Sequence, residues 1–260
     1  MAMTRREHLA ALMAALSAGA LASCAGAART REDRSKQVVV IFGASGMIGR
    51  DLAKAVRTAG YIVRGVSRNP DRARADISAD YEWVAGDVRD FASVVRATAG
   101  ATYVVSTVAA DQRRGPQAPE FIDWAGNRNL IDAAKAAGVR HFILISSATS
   151  GPQADQSQNP ASGYVRYFKT KIEGYLRASG LSHTIIAPGR LKYEPGGTTG
   201  IRLLARKDYE ISTITSGDMG LVVVDCLTNP AARGKAFALR NDDTLQPGAW
   251  RVMYAAMPNA

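Results

Sequence analysis

The stretch Val38-Val39-Val40-Ile41-Phe42-Gly43-Ala44-Ser45-Gly46-Met47-Ile48-Gly49 decides the reading of this chain. Four β-branched residues followed by Phe42 form an apolar run of strand length, the pattern of a strand buried on both faces. Glycines follow at once, so the stretch predicts a strand, a tight turn and the start of a helix. Gly43, Gly46 and Gly49 stand at G-x-x-G-x-x-G spacing, close to the dinucleotide-binding pattern G-x-G-x-x-G. The physical demands are shared: one glycine turns the chain, another lets backbone approach a pyrophosphate, and the last lets the helix pack on the strand. The amides around Met47 and Ile48 would then face the phosphates with the helix dipole behind them, and the Ser45 hydroxyl would add a donor. A glycine turn also serves folds that bind no nucleotide, so the rest of the chain has to decide.

Working outward, composition sets the frame. A chain of 260 residues, 47% hydrophobic, supports an ample core in one large domain or two small ones. The net charge is +10, carried mainly by arginine, yet the cations are scattered among acids and are not interleaved with aromatics. That distribution argues against a nucleic-acid partner and for anionic small molecules or a lipid surface. Two cysteines, Cys24 and Cys226, build neither a disulfide framework nor a metal site, and no metal is expected. His8 falls in the N-terminal segment while His141 and His183 open strands, so no histidine base is expected either.

Residues 1–28 have the parts of an export signal: Arg5 and Arg6, an apolar run from Leu9 to Ala22, and the small residues Ala25, Gly26 and Ala27. The run is too short to span a bilayer comfortably. Thr4-Arg5-Arg6-Glu7-His8-Leu9 resembles a bacterial twin-arginine signal, with His8 where phenylalanine is preferred, and Leu21-Ala22-Ser23-Cys24 resembles a lipobox. Two outcomes stay open: cleavage that leaves Cys24 as a lipidated N-terminus on a membrane surface, or cleavage after Ala27 that discards it. Either gives an exported bacterial protein, periplasmic or membrane-anchored. The twin-arginine route is associated with proteins exported folded and cofactor-loaded, which suits a nucleotide-binding domain. Residues 29–36, charged and without apolar periodicity, read as a tether before a domain over 37–260.

Downstream of the glycine turn, Leu52, Ala53 and Val56 recur at helical spacing until Gly60, and Tyr61 to Val66 reads as a second strand. An acidic residue near the end of such a strand would hold the ribose hydroxyls of NAD, but here the chain reads Val66-Ser67-Arg68-Asn69-Pro70. Arg68 offers a fork for a 2′-phosphate, with Arg64 and Arg72 near it in sequence, so NADP is expected over NAD, with NAD still possible. Strand-like Glu82–Gly86, Ala101–Thr107 and His141–Ile145 alternate with helical Phe91–Ala99 and Glu120–Ala137, the pattern of a parallel sheet with right-handed crossovers. Ligands of such sheets lie at the carboxyl ends of the strands, where the loop Ala109–Pro119 and the pair Ser146 and Ser147 fall.

The blocks VVVIFGASGMIGRDLAKAV, SRNP, GDVRD, NRNLIDAAKAAGVRHFILISSA, YFKTKIEGYLRASGLSHTIIAPGRL and SGDMGLVVVDCLTNPAARGKAFAL run in order over Gln37 to Leu239. Together they resemble an atypical short-chain dehydrogenase/reductase of the NAD(P)H-binding, NmrA-like branch. The resemblance implies an α/β fold: a Rossmann-like, doubly wound parallel sheet in three α/β/α layers, within a single domain. It implies that Asp87 and Val88 border the adenine, that Thr107 and Val108 lie beside the nicotinamide ribose, and that Ser147 is the catalytic serine.

For the family's Y-x-x-x-K unit two registers compete. Tyr167 and Lys171 have the spacing and would pass a proton and lower its pKa. Aligning the following Glu173 and LRASGL instead places the family's lysine at Lys169, a ribose ligand, four residues after Val165, which moves no proton; Tyr164 is one place off. Leu191 to Ser216 would form the substrate wall, with Pro195-Gly196-Gly197 suggesting a mobile lid. Asp218 reads as a helix N-cap, Cys226 as a packing residue and Trp250–Met257 as a terminal helix. The leading expectation is an oxidoreductase moving hydride to or from a carbonyl-type small molecule. Its alternatives are a non-catalytic NAD(P)-binding redox sensor and an epimerase or dehydratase with tightly held cofactor. Nothing in the sequence points to an oligomeric state.

Overall fold

A computed structural model describes residues 33–152 and 160–260. The expected export signal, Cys24 and most of the expected tether lie outside the described residues. The chain runs β1 Val38–Phe42, α1 Met47–Thr58, β2 Ile62–Ser67, α2 Pro70–Asp76, β3 Glu82–Ala85, α3 Phe91–Thr98, β4 Tyr103–Ser106, α4 Asn127–Ala136 and β5 His141–Ile145. It continues through α5 Val165–Ala178, β6 His183–Pro188, β7 Arg190–Lys192, β8 Ile201–Leu204, β9 Thr213–Thr215, α6 Ser216–Thr228 and β10 Lys235–Asn241.

Eight strands form one sheet in the order β3-β2-β1-β4-β5-β6-β10-β8, parallel throughout except that β8 runs antiparallel to β10. The edges are β3 and β8, four residues each. Strand order reverses between β1 and β4, which opens a crevice at their carboxyl ends. Phe42 lies opposite both Val66 and Ser106, so these three strands end level and deliver Gly43, Ser67 and Thr107 to one edge.

Period-two alternation along β1 sorts its side chains to two cores. Val39 and Ile41 join Leu52, Val56, Val222 and Val223 beneath α1 and α6. Val40 and Phe42 join Leu130, Ile131, Ile172 and Leu176 on the opposite face, beneath α4 and α5. Each such side chain, fully buried, contributes about 1.5–3 kcal/mol. The expected Rossmann-like sheet in three layers is therefore present.

Four local expectations are corrected. The end of the tether is docked: Arg34–Lys36 forms a 3₁₀ turn, with the Arg34 guanidinium 5.1 Å over the Tyr61 ring and donating to Ala59 O at 3.3 Å. The helix expected over 120–137 starts as a π-helix, Glu120–Gly126, and only then becomes α4. Asn127 supplies a cause, because its Nδ2 donates to Ile122 O and Asp123 O at 3.3 and 3.1 Å and so occupies the carbonyls of the widened turn. Asp218 is not the N-cap of α6; Thr215 is, its Oγ1 accepting from Asp218 N at 3.0 Å. The proposed lid is pinned, since Asp218 accepts from Gly197 N at 2.7 Å and Ile201–Leu204 is an edge strand of the sheet. The expected terminal helix is present as a 3₁₀ helix over Ala249–Ala256 with Trp250 and Tyr254 buried, Tyr254 lying 5.7 Å from Phe237. Cys226 packs as expected, and burial pushes its thiol up to about 12.

Candidate cofactor site

The turn after β1 is built for close approach. Gly43 has φ +84°, a conformation that strains any side chain, and a Cβ on Gly49 would stand 2.1 Å from Gly43 O. α1 therefore lies directly against the turn that precedes it. Gly46 caps α1 without a side-chain bond, which leaves the first-turn amides to an anion. Met47 offers this site only its backbone, its side chain being 67% exposed, while Ile48 packs against the core.

A cleft of about 290 Å³ follows the carboxyl edge of the sheet. Gly43, Ser45 and Gly46 line it on one side, Asp87 and Val88 on a second, and Thr107 and Val108 on a third. Thr107 is held there by its Oγ1, which donates to Phe42 O at 3.0 Å. Asp87 accepts from Arg89 N at 2.9 Å and from Arg89 Nη2 at 2.5 Å, and this bonding holds its carboxyl below the usual carboxylate range. A neighbouring cavity of about 300 Å³ has Ser45, Arg50, Ser67, Arg68, Asn69, Arg72 and Asp76 in its lining, with Arg72 Nε paired to Asp76 Oδ2 at 3.1 Å. It shares Ser45, Ser67 and Arg68 with the cleft. Arg64 is elsewhere, paired with Glu82 at 2.9 Å and donating to Ala99 O at 2.6 Å. The Gln117 amide, its oxygen turned toward them, accepts from Arg68 Nη1 at 3.2 Å and Arg89 Nη1 at 3.3 Å and so spans the two arginines.

The residues expected to do chemistry are not gathered in this cleft. Ser147 Oγ lies 3.0 Å from Thr149 Oγ1 and accepts from Thr149 N at 3.3 Å, a local turn. Lys169 Nζ is 2.8 Å from Asp123 Oδ1, and Asp123 Oδ2 accepts from Ala110 N at 3.0 Å. Lys171 Nζ lies 4.2 Å over the Trp124 ring. Tyr167 is 36% exposed, its ring 5.2 Å from Phe168. None of these four lines the cleft beside Gly43. Nearby, Glu173 is fully buried and accepts from Ser146 Oγ, from Ser150 Oγ at 3.0 Å, from Arg177 Nη2 at 3.2 Å and from Arg206 Nη1 at 2.8 Å.

Sequence reasoning missed Arg50, Gln117, Asp123 and Arg206. Arg50 had a signal, since it directly follows the last glycine of the turn, at an exposed position in the first turn of α1. The other three act through partners far away in sequence and had none.

Known proteins align with this architecture. Residues 43–230 match the NAD(P)H-binding family. An uncharacterized chloroplastic protein of Arabidopsis thaliana is 32% identical over 226 residues, covering 77% of this chain and 68% of its own. Sanguinarine reductase of Eschscholzia californica is 28% identical over 249 residues, covering 80% and 90%. The anaerobillin reductase of Escherichia coli O157:H7 superposes with a TM-score of 0.65 at 24% identity, covering 82% of this chain and all (100%) of that one, which shows the shared fold. With the glycine turn, the crevice at the strand reversal and a family match over most of its length, this chain belongs to the NAD(P)H-binding family.

Proposed function

We propose that this protein is an NADP(H)-dependent oxidoreductase acting on a carbonyl-type small molecule. The observation that carries the cofactor choice is the cavity holding Arg50, Arg68 and Arg72 beside Ser45 and Ser67, with no acidic residue at the end of β2. The Arg50 and Arg68 guanidinium groups and two hydroxyls suit a 2′-phosphate, which NAD lacks, while Arg72 is paired with Asp76 at the cavity wall. The fit to a dinucleotide rests on Gly43 and Gly49, whose missing side chains leave backbone free at the uncapped start of α1. Ser45, Gly46 and the amides of Met47, Ile48 and Gly49 would hold the pyrophosphate, Asp87 and Val88 the adenine side, and Thr107 and Val108 the nicotinamide side. The bound cofactor would supply or accept the hydride. Ser147, at the exit of β5, would turn its hydroxyl from Thr149 to the substrate oxygen. Reductase activity in relatives such as sanguinarine reductase supports the direction of the reaction. Export and attachment through Cys24 belong to the same proposal, tested by fractionating cells that express the wild type and Cys24→Ser.

A specific observation favours a second reading, a non-catalytic NADP(H) sensor. Lys169 is engaged by Asp123, and Val165 stands where that register needs a proton donor. Titrating NADPH and NADH into the protein, then following NADPH oxidation with a panel of quinones, aldehydes and enones, separates the readings. NADPH preference with turnover lost in Ser147→Ala supports the oxidoreductase. Tight NADPH binding without turnover supports the sensor. Equal affinity for the two dinucleotides overturns the assignment of the arginines.

A further inference from the structure

A cavity of about 740 Å³ lies beside α5, between that helix, the segment that leaves β5 and the 3₁₀ turn Arg206–Asp208 after β8. It shares no lining residue with the cofactor cleft. Four cations line it, Arg166, Arg177, Arg206 and Lys207, and among the described residues no acidic side chain does. Arg166 and Arg177 are eleven positions apart on α5, so the cationic stripe runs about 16 Å along the helix. Between the charges the wall is mixed, with Ala148, Pro152, Ala236 and Pro258 supplying its apolar part beside Thr149, Ser150 and Asn259.

Arg206 is the informative residue. Its Nη1 donates to both oxygens of Glu173, at 2.8 and 2.9 Å, and to Ser150 O at 2.7 Å. Glu173 is meanwhile bonded to Ser146, Ser150 and Arg177, so its acceptor capacity is filled. Arg206 Nε and Nη2 are buried and have no partner among the described residues. Those two N–H groups form the parallel edge with which a guanidinium grips a carboxylate or phosphate through two bonds. Leaving such donors buried and unmade is costly, and more so for a charged group. The clamp on Nη1 also fixes the orientation of the edge, so little freedom is lost when an anion docks. Arg166 and Lys207, both exposed and without partners among the described residues, add positive potential around it.

We propose that this groove is a second binding site, for an amphipathic anion: a carboxylate or phosphate head on the free edge of Arg206, with an apolar body along the groove. It is independent of the cofactor reading. The volume fits a ligand of ordinary small-molecule size.

Calorimetric titration of the whole protein, saturated with NADPH, with decanoate, decyl phosphate and decanol tests this. At least one anion should bind ten times more tightly than decanol, and which one does so identifies the head group. Arg206→Lys keeps a charge beside Glu173 but removes the fork, and should abolish the preference for that anion. Arg166→Glu with Lys207→Glu, both on the surface, should weaken the anion at least tenfold. NADPH affinity should be unchanged in both variants. Equal binding of decanol and the two anions, a preference that survives Arg206→Lys, or anion affinity untouched by the double variant overturns the proposal.

Discussion

The carboxyl ends of β1 and β5 lie on the same edge of one sheet, yet they are built differently. At β1 the site is main chain: a turn at Gly43, helix amides after Gly46 and space kept by the absence of side chains. At β5 and α5 it is side chain, and the two lysines expected to act are already engaged, Lys169 by Asp123 and Lys171 by Trp124, while Glu173 beside them is held by Arg206. A site made of backbone follows from local spacing. A site made of side chains depends on what the rest of the fold sets beside them.

That contrast can be broken most forcefully at Lys169. Asp123 is fully buried and Lys169 is 12% exposed, so Lys169→Met leaves a carboxylate unpaired in the interior. A loss of about 3–5 kcal/mol is expected in urea unfolding; a loss below about 1 kcal/mol would mean the pair holds nothing. Next comes Gly49→Ala at the β1 turn, where the new Cβ meets Gly43 O at 2.1 Å. Since backbone must move, a loss of about 3 kcal/mol and of NADPH binding is expected, read by unfolding and by cofactor fluorescence. Arg68→Ala removes one donor set from the 2′-phosphate cavity; NADPH affinity should fall about ten- to hundredfold, as a charged hydrogen bond implies, with NADH affinity unchanged.

The strand β5 offers a pH test. His141 is buried between Ser182 Oγ at 2.8 Å and Thr184 Oγ1 at 2.9 Å, and burial first, then Arg233, lowers it to about 3. The folded state thus keeps it neutral while the unfolded chain takes a proton below its ordinary value of about 6.5. Its contribution to stability is complete above that value and is lost as pH falls toward 3, at about 1.4 kcal/mol per pH unit. Unfolding curves at pH 7, 5.5 and 4.5 should show a shallower loss for His141→Gln than for the wild type. The smallest effect belongs to Tyr167→Phe: with the ring half in solvent and no part in the cleft, stability should change by less than about 0.5 kcal/mol and turnover by less than twofold. A tenfold fall in turnover would return Tyr167 to the chemistry.

Much of the fold was legible because it is written in short-range pattern. The apolar runs of β1, β4 and β5, and the arginine in place of an acid after β2, are visible residue by residue. The π-helical turn was not, because it depends on the Asn127 amide reaching back to Ile122 and Asp123. Nor was the true cap of α6, since Thr215 and Asp218 both suit that role and only the backbone at Thr215, extended with ψ 146°, selects between them. The partnership of Lys169 with Asp123 joins positions that local periodicity does not connect.

The sheet's two margins carry a consequence for life at high concentration. Strands β3 and β8 are only four residues long, and each borders a strand that carries a charged pair at the rim: Arg64 with Glu82, and Arg240 with Asp242. A second chain seeking to add a strand finds a ladder of few rungs flanked by ions. The wide, apolar parallel sheet between them is thus poorly suited to template intermolecular aggregation.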